Sequence, residues 1–465
     1  MCSWKQFLAS ATALLLLAGA RGTVLAAPNP DLRAIQAVQK GDTQSLRRLL
    51  ANRIDANAAS SDGTTALAWA AHQNDLTATD LLIRAGANVN AANDYGVTPL
   101  SLACENRNAE IVGRLLRAGA KPNALQKAGD TAFMTCVRTG DEASVRLMLA
   151  HGADPNGRES RLGQTPLMWA AAGKHAGVVK LLIEHGADVN ARSKGDFTAL
   201  LFAAQQGNEA STQALLSMGA QVNAAPSKDG LTPLVVSAAL GHGPVARLLL
   251  EQGADPNVAD NRGYTALHFA AANRGLIELL KLLLAKGANP NAQVTKETGK
   301  VSDTYRRGEA GQTPLVLAAG AGNTQAMRLL VAAGADLELP TDEGYTPLMI
   351  AGGLGIFEPR TEAQYRAAAE TVKTAIELGA NVNAVARNGW TALHGAAYNG
   401  ADDVIQALVK GGAKTEILDS FGQTPLSIAA AVVTQESGEF AFIRPHRFYK
   451  TTYDLLLSLG ARPLE

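Results

Sequence analysis

A threonine that returns at a fixed interval limits what this chain can fold into more than any other feature. It stands at Thr65, Thr98, Thr131, Thr165, Thr198, Thr232, Thr265, Thr313, Thr346, Thr391 and Thr424, and eight of those ten spacings are 33 or 34 residues. A period of that length marks stacked supersecondary units, because one such unit can bury its apolar face only against a neighbour. A length of 465 residues would otherwise suggest several independent domains, and the period overrides that expectation.

The unit is clearest at residues 163–190, G-Q-T-P-L-M-W-A-A-A-G-K-H-A-G-V-V-K-L-L-I-E-H-G-A-D-V-N. Thr165 and Pro166 suit a helix start, since the hydroxyl accepts a bond from an orphan amide and proline lacks an N–H where none is needed. Gly173 interrupts the apolar pattern, residues 178–183 form a second apolar helix, and Gly186 stands where that helix needs a left-handed closing residue. The unit is therefore helix, tight turn, helix, loop. Leu181, Leu182, Leu248, Leu249 and Leu250 are expected to gain roughly 1.5 to 3 kcal/mol each by burial between units. Alanines such as Ala170 and Ala171 let the first helices approach closely. Trp69 and Trp169, four residues after their threonines, read as core. Residues 31–57 form a helix pair without the T-P-L opening, an N-terminal cap; residues 424–465 form the C-terminal cap.

The T-P-L-x-x-A-A, L-L-L and G-A-D-x-N pattern of residues 31–465 resembles the ankyrin repeat. Its G-A-N-V-N and G-A-D-P-N runs are also similar to those of exported bacterial ankyrin proteins. The resemblance implies an all-α ankyrin repeat solenoid of about twelve helix-turn-helix units in one array, and it implies binding without naming what is bound. It further implies that His268 and His394, in the T-x-L-H position, bond the adjoining turn. The asparagines that end most units (Asn90, Asn123, Asn156, Asn190, Asn223, Asn257, Asn291, Asn383) read as structural, a residue type that tolerates left-handed geometry and can bond its own turn.

Lys plus Arg (42) equal Asp plus Glu (42), so no global charge draws in nucleic acid or an anionic membrane. Residues 1–26 read as a removed secretory signal: Lys5 precedes an apolar run at 7–20, and small residues place cleavage after Ala26, or else after Ala20. The run is too short to span a bilayer. The expected product is exported, periplasmic rather than fully secreted, monomeric and without stable membrane insertion. Cys104 and Cys136 occupy small-residue slots on neighbouring first helices. An oxidising compartment permits a disulfide, but the two are expected to lie close and unbonded, because helix axes pack about 8 to 10 Å apart while a bridge needs Cα atoms within about 7 Å. No phosphate loop, G-x-S-x-G, haem or zinc spacing occurs. No catalytic residue, metal or cofactor is expected.

Three stretches depart from the period, all in the C-terminal half: insertions at 293–310, 355–366 and 434–450. Each carries aromatics or arginines, the types enriched at interfaces, among them Tyr305, Arg306 and Arg307 in the first. The ankyrin resemblance implies that the residue before each opening threonine points from its loop toward the concave side, free of core duty. That column runs Thr64, Val97, Asp130, Gln164, then Phe197, Leu231, Tyr264, Gln312, Tyr345, Trp390 and Gln423, with Tyr398 beside Trp390. The candidate partner-binding residues are thus Phe197, Leu231, Tyr264, Tyr345, Trp390 and Tyr398 with the arginine-bearing insertion. Truncating Tyr264, Tyr345 or Trp390 is expected to weaken capture and leave melting nearly unchanged. The leading function is a non-enzymatic scaffold for another exported protein. The alternatives are an enzyme or small-ligand site built from the insertions, or a secreted host-directed effector.

Overall fold

The computed structural model describes residues 31–226, 228–295, 310–354, 361–430 and 449–463. Among them, 24 α-helices pair into twelve units, from Arg33–Gln39 with Thr43–Ala51 to Pro425–Ala429 with Lys450–Ser458. Extended pairing is limited there to two isolated bridges, Ala59 with Thr65 and Leu125 with Thr131. Most of the recurring threonines act as the helix starts their sequence suggests. Thr65 and Thr165, for example, sit in extended conformation and accept a bond from the N–H three residues on.

Each first helix packs on the first helix of the units before and after it, and second helices do likewise, so the core is a continuous stripe rather than one centre. Ala70, Ala71, Ala103, Ala170, Ala171, Ala203 and Ala204 are fully buried along that stripe. Leu181, Leu182, Leu249 and Leu250 are buried as expected, whereas Leu248 is only half-buried. Trp69 and Trp169 are not core in the same sense: both stay half-buried, packed on the stripe with one side left outward.

The terminal asparagines do something other than expected. None of the eight has positive φ; the described non-glycine residues that do are Arg53, Asn74, Arg107, Lys174 and Asp196. Most of them bridge to the following unit instead. Asn156 donates through Nδ2 to the Gly186 carbonyl at 2.9 Å and accepts at Oδ1 from the Asp188 N–H at 2.7 Å. Asn90, Asn123, Asn190, Asn257, Asn291 and Asn383 repeat both bonds, and Asn223 repeats the second. The reason is that the closing glycine leaves its carbonyl beyond the end of the second helix, where it has no partner in its own unit. An amide side chain carries both the donor and the acceptor that the neighbouring turn needs.

Cys104 and Cys136 are bonded, with Cα atoms 4.5 Å apart. The expectation of free thiols fails because axis spacing is not Cα spacing. With Cα atoms on a cylinder of radius about 2.3 Å, facing positions on helices about 8 to 10 Å apart approach to roughly 4 to 5 Å.

The insertions do not interrupt the stack where it is described. At the base of the first, the Val294 N–H donates to the Gln312 carbonyl and the Gly311 N–H to the Val294 carbonyl, closing the loop on itself. Residues 296–309, and with them Tyr305, Arg306 and Arg307, lie outside the described residues. The second insertion is not all loop. Thr361 and Gln364 form a capping box that starts a helix at Glu362–Glu377, 16 residues against nine in the second helix of the unit before it, so residues 362–366 are helical. Residues 355–360 and 431–448 lie outside the described residues.

The bridge generates a direct test. Peptide mapping of unreduced protein should recover the Cys104 and Cys136 peptides as one linked pair, whereas free thiols at both positions would contradict the structure. Replacing both cysteines by alanine should lower stability by up to roughly 3 to 4 kcal/mol, the loop-closure entropy for a separation of 32 residues.

Candidate functional site

The candidate site is the face formed by the first helices and the loop tips between units. Its geometry begins with a polar residue five before the opening threonine. Asp260 accepts at Oδ1 from the N–H groups of Arg262 and Tyr264, and Asp419 does the same for Phe421 and Gln423. Asn93, Ser193 and Thr341 fill the same place for Val97, Phe197 and Tyr345. Each loop is thereby closed on a side chain, and the residue before the threonine is held by its own backbone. Adjacent tips are joined by single backbone bonds, among them Lys127 N–H to the Tyr95 carbonyl and Ser420 N–H to the Asn388 carbonyl. Such closeness requires glycine: at Gly389, with φ +80°, a Cβ would lie 2.5 Å from the Ser420 nitrogen.

The structure separates the aromatic column into clusters, because Phe197, Tyr264 and Trp390 each turn onto the first helix of their own unit. Phe197 lies 5.8 Å, centroid to centroid, from Phe202. Tyr264 packs on His268 and Phe269 at 5.6 and 5.5 Å, with the Arg262 guanidinium 4.9 Å from its ring. Only 8% of Tyr264 is exposed, so the expectation that its truncation leaves melting unchanged gives way to one of lost packing. Trp390 is half-buried, stacks on His394 at 6.3 Å, lies 5.6 Å from Tyr398 and donates through Nε1 to Asp419 at 2.9 Å. Leu231 and Tyr345 are half-buried too, and burial together with Glu343 raises the Tyr345 phenol above its ordinary range. Phe202 and Phe269, absent from the sequence-based set, join the face. Their signal was the slot four after the threonine, which holds a ring behind Phe197 and Tyr264 but Ile350 behind Tyr345 and Gly395 behind Trp390.

Two histidines tie this face to the loop beneath. The Thr265 N–H donates to His268 Nδ1 at 3.1 Å, so Nδ1 carries no proton and Nε2 donates to the Gln312 carbonyl at 3.3 Å. His394 repeats the arrangement between Thr391 and Gln423 at 3.0 and 3.2 Å. Both are buried, and burial lowers their pKa values, that of His268 to about 4. Among the described residues no group of three or more His, Cys, Asp or Glu gathers as a metal site would, and no helix is long and apolar enough to cross a membrane.

A family described as ankyrin repeats in three copies matches residues 34–126, 102–193, 133–226, 200–294 and 362–437; a second, ankyrin repeats in many copies, matches residues 297–351. This chain belongs to the ankyrin-repeat family. It is also similar to the ankyrin repeat and SOCS box protein 16 of Mus musculus, 31% identical over 156 residues, and to that of Homo sapiens, 31% over 157. In each case 34% of this chain aligns with 32% of the relative, so the chain spans about a third of those proteins.

The buried histidines generate a pH prediction. The folded value of about 4 lies below the unfolded value near 6.5, so the unfolded chain is the first to take up a proton as pH falls. Stability from neutral His268 is therefore whole above pH 6.5 and is lost on the way to pH 4, by up to about 1.4 kcal/mol per pH unit. Urea midpoints at pH 7.5 and 5.0 should fall less steeply for His268→Gln than for the parent. An equal fall would show that His268 titrates normally.

Proposed function

We propose that this ankyrin array is a non-enzymatic scaffold that holds another exported protein against the face of its first helices and loop tips. The observation that carries the reading is Trp390. Its ring is half-exposed yet already fixed by Asp419, His394 and Tyr398. An aromatic anchor immobilised before binding loses little conformational freedom on contact, which is the property of an interface hot spot. Tyr345 and Phe197 stand in the same column, half-buried, on loops closed in the same way. The name of the mammalian relatives contributes only the repeat itself.

Export is supported by the apolar run at residues 7–20 and the G-A-D-P-N resemblance to exported bacterial ankyrin proteins. The Cys104–Cys136 bridge adds to this, since such bonds persist chiefly in oxidising compartments. Fractionation of producing cells should place the chain with periplasmic markers, and recovery with cytoplasmic markers would overturn that part.

Against the captured partner, Tyr345→Ala and Trp390→Ala should each weaken binding about thirtyfold, while Thr64→Ala and Gln164→Ala should not. Trp390→Ala also removes the bond to Asp419, so its melting temperature should fall as well. Trp390→Phe separates the two effects. It gives up the bond and keeps a ring, and should retain most of the affinity. A Phe variant that binds as poorly as Ala, with an unchanged melting temperature, would contradict the anchor reading.

A further inference from the structure

A division of charge runs along the stack. From the fifth unit to the twelfth every second helix carries at least one Asp, Glu, Lys or Arg, and no first helix carries any. Between the cap and the fifth unit the first helices hold only Glu105 and Arg138, which pair with each other. In a chain of which 18% is charged, a row of helices so empty of charge calls for a cause.

Burial alone is not that cause. The residue seven after the opening threonine is exposed at Ala239, Ala272 and Gly320, and the same place holds Glu105 and Arg138 in units three and four, so it tolerates a charge. Gln205, in that row, is polar but neutral. The residue four after the threonine stays half-buried at Phe202, Val236, Phe269, Leu317 and Ile350. Leu240, which follows Ala239, is 53% exposed. The two rows meet across units: a Cβ on Gly320 would lie 3.3 Å from Ile350 Cγ2 of the next unit, and successive first helices pack side by side. Units six to ten thus present one uncharged, largely apolar stripe to water, the mark of a binding surface. The loop tips beside it do carry charge, as at Glu343 and at Arg262, which is already held by Asp260 and the Tyr264 ring.

We propose that the first-helix face of units six to ten selects an uncharged, predominantly apolar segment of its partner and rejects segments that carry Asp, Glu, Lys or Arg. A charge laid on this stripe gives up its water and meets no counter-charge, whereas an apolar side chain gains by leaving water. The absence of charge from a slot that accepts it elsewhere is thereby explained, since a single lysine or carboxylate on the stripe would penalise the segment it has to hold. Units step about 10 Å and an extended chain rises about 3.3 Å per residue, so about twelve residues span the stripe. The inference rests on the reading of this face as a protein-binding surface. It adds the chemistry of what is bound.

The test uses the full oxidised chain to select binders from a displayed library of random twelve-residue segments. Selected segments should hold charged residues at about a third of the library frequency or less, and one central Lys or Glu placed in a selected peptide should weaken its binding about tenfold. Ala239→Glu and Ala272→Lys, both at exposed positions, should each weaken the uncharged peptides about tenfold with melting temperatures close to the parent. Ala239→Glu should also bind the peptide with a central Lys more tightly than the parent does. Arg247→Ala, on the second-helix face, should leave binding unchanged. Segments selected at the library's own charge frequency, or indifferent to both alanine substitutions, would overturn this inference, and the scaffold reading would stand where those segments still lose binding on Trp390→Ala. Peptides that ignore Trp390→Ala as well would overturn both. A chain that selects no peptide and instead takes up parinaric acid, a fluorescent fatty acid, has an acyl-chain surface there, and that result would also overturn both.

Discussion

The contact between one unit and the next is the constraint from which the rest of this molecule follows. A pair of short helices leaves an apolar side that only a copy of itself can cover, so every unit must present to its neighbours what its neighbours present to it. Three systems meet that demand at three levels. Buried alanines set the first helices close together. Backbone bonds join the loop tips, as from Lys127 to Tyr95. Asparagine amides such as that of Asn156 bridge the far ends of the second helices. Where the asparagine is missing a carboxylate takes over part of its work: Glu338 accepts from the Asn381 N–H and Glu416 from the Arg462 N–H. The first insertion is tolerated for the same reason. Thr295 still donates to the Arg262 carbonyl and Asp342 to the Ala310 carbonyl, so the tip-to-tip bonds continue past it.

What was legible in the sequence is what repeats. The threonine period was enough to place eleven units, because the same local choice recurs until chance is excluded, and the helix-pair pattern of residues 31–57 placed the twelfth. The misreadings share one cause. The asparagines were assigned a local turn role, yet their partners stand 29 or more residues away in the next unit. The Cys104–Cys136 distance was judged from axis spacing, which ignores that the two residues face each other. Tyr264 was read as free because its column carries no core duty, but Asp260 and Phe269 turn its ring inward. The helical part of the second insertion was missed although Thr361 and Gln364 spell a capping box. In each case the deciding quantity was a distance set by the neighbouring unit or by the packing of the ring, and no single unit's sequence contains it.

The same view explains why the residues of one column differ so widely in chemistry. A residue whose backbone is held by the loop's own polar side chain is structurally fixed whatever its side chain is, so its chemistry is free to vary. Where that chemistry is satisfied inside the protein, as for Trp390 on Asp419, the side chain becomes a rigid shape.

One-dimensional stacking also keeps distant units from constraining one another. Units four and five touch the aromatic cluster around Trp390 only through the helices of the intervening repeats, since each helix packs on its immediate neighbours. Changes at sites so far separated add nearly independently. An array of this kind therefore tolerates a change of surface in one unit without constraining a distant one. A compact domain with one shared core lacks that freedom, because a ring fitted at one edge displaces atoms at the other. Here the Cys104–Cys136 bridge joins the third and fourth units. The bridge fixes the fourth unit against its neighbour covalently, at a point of the stack where the buried alanines of the first helices already hold the two close.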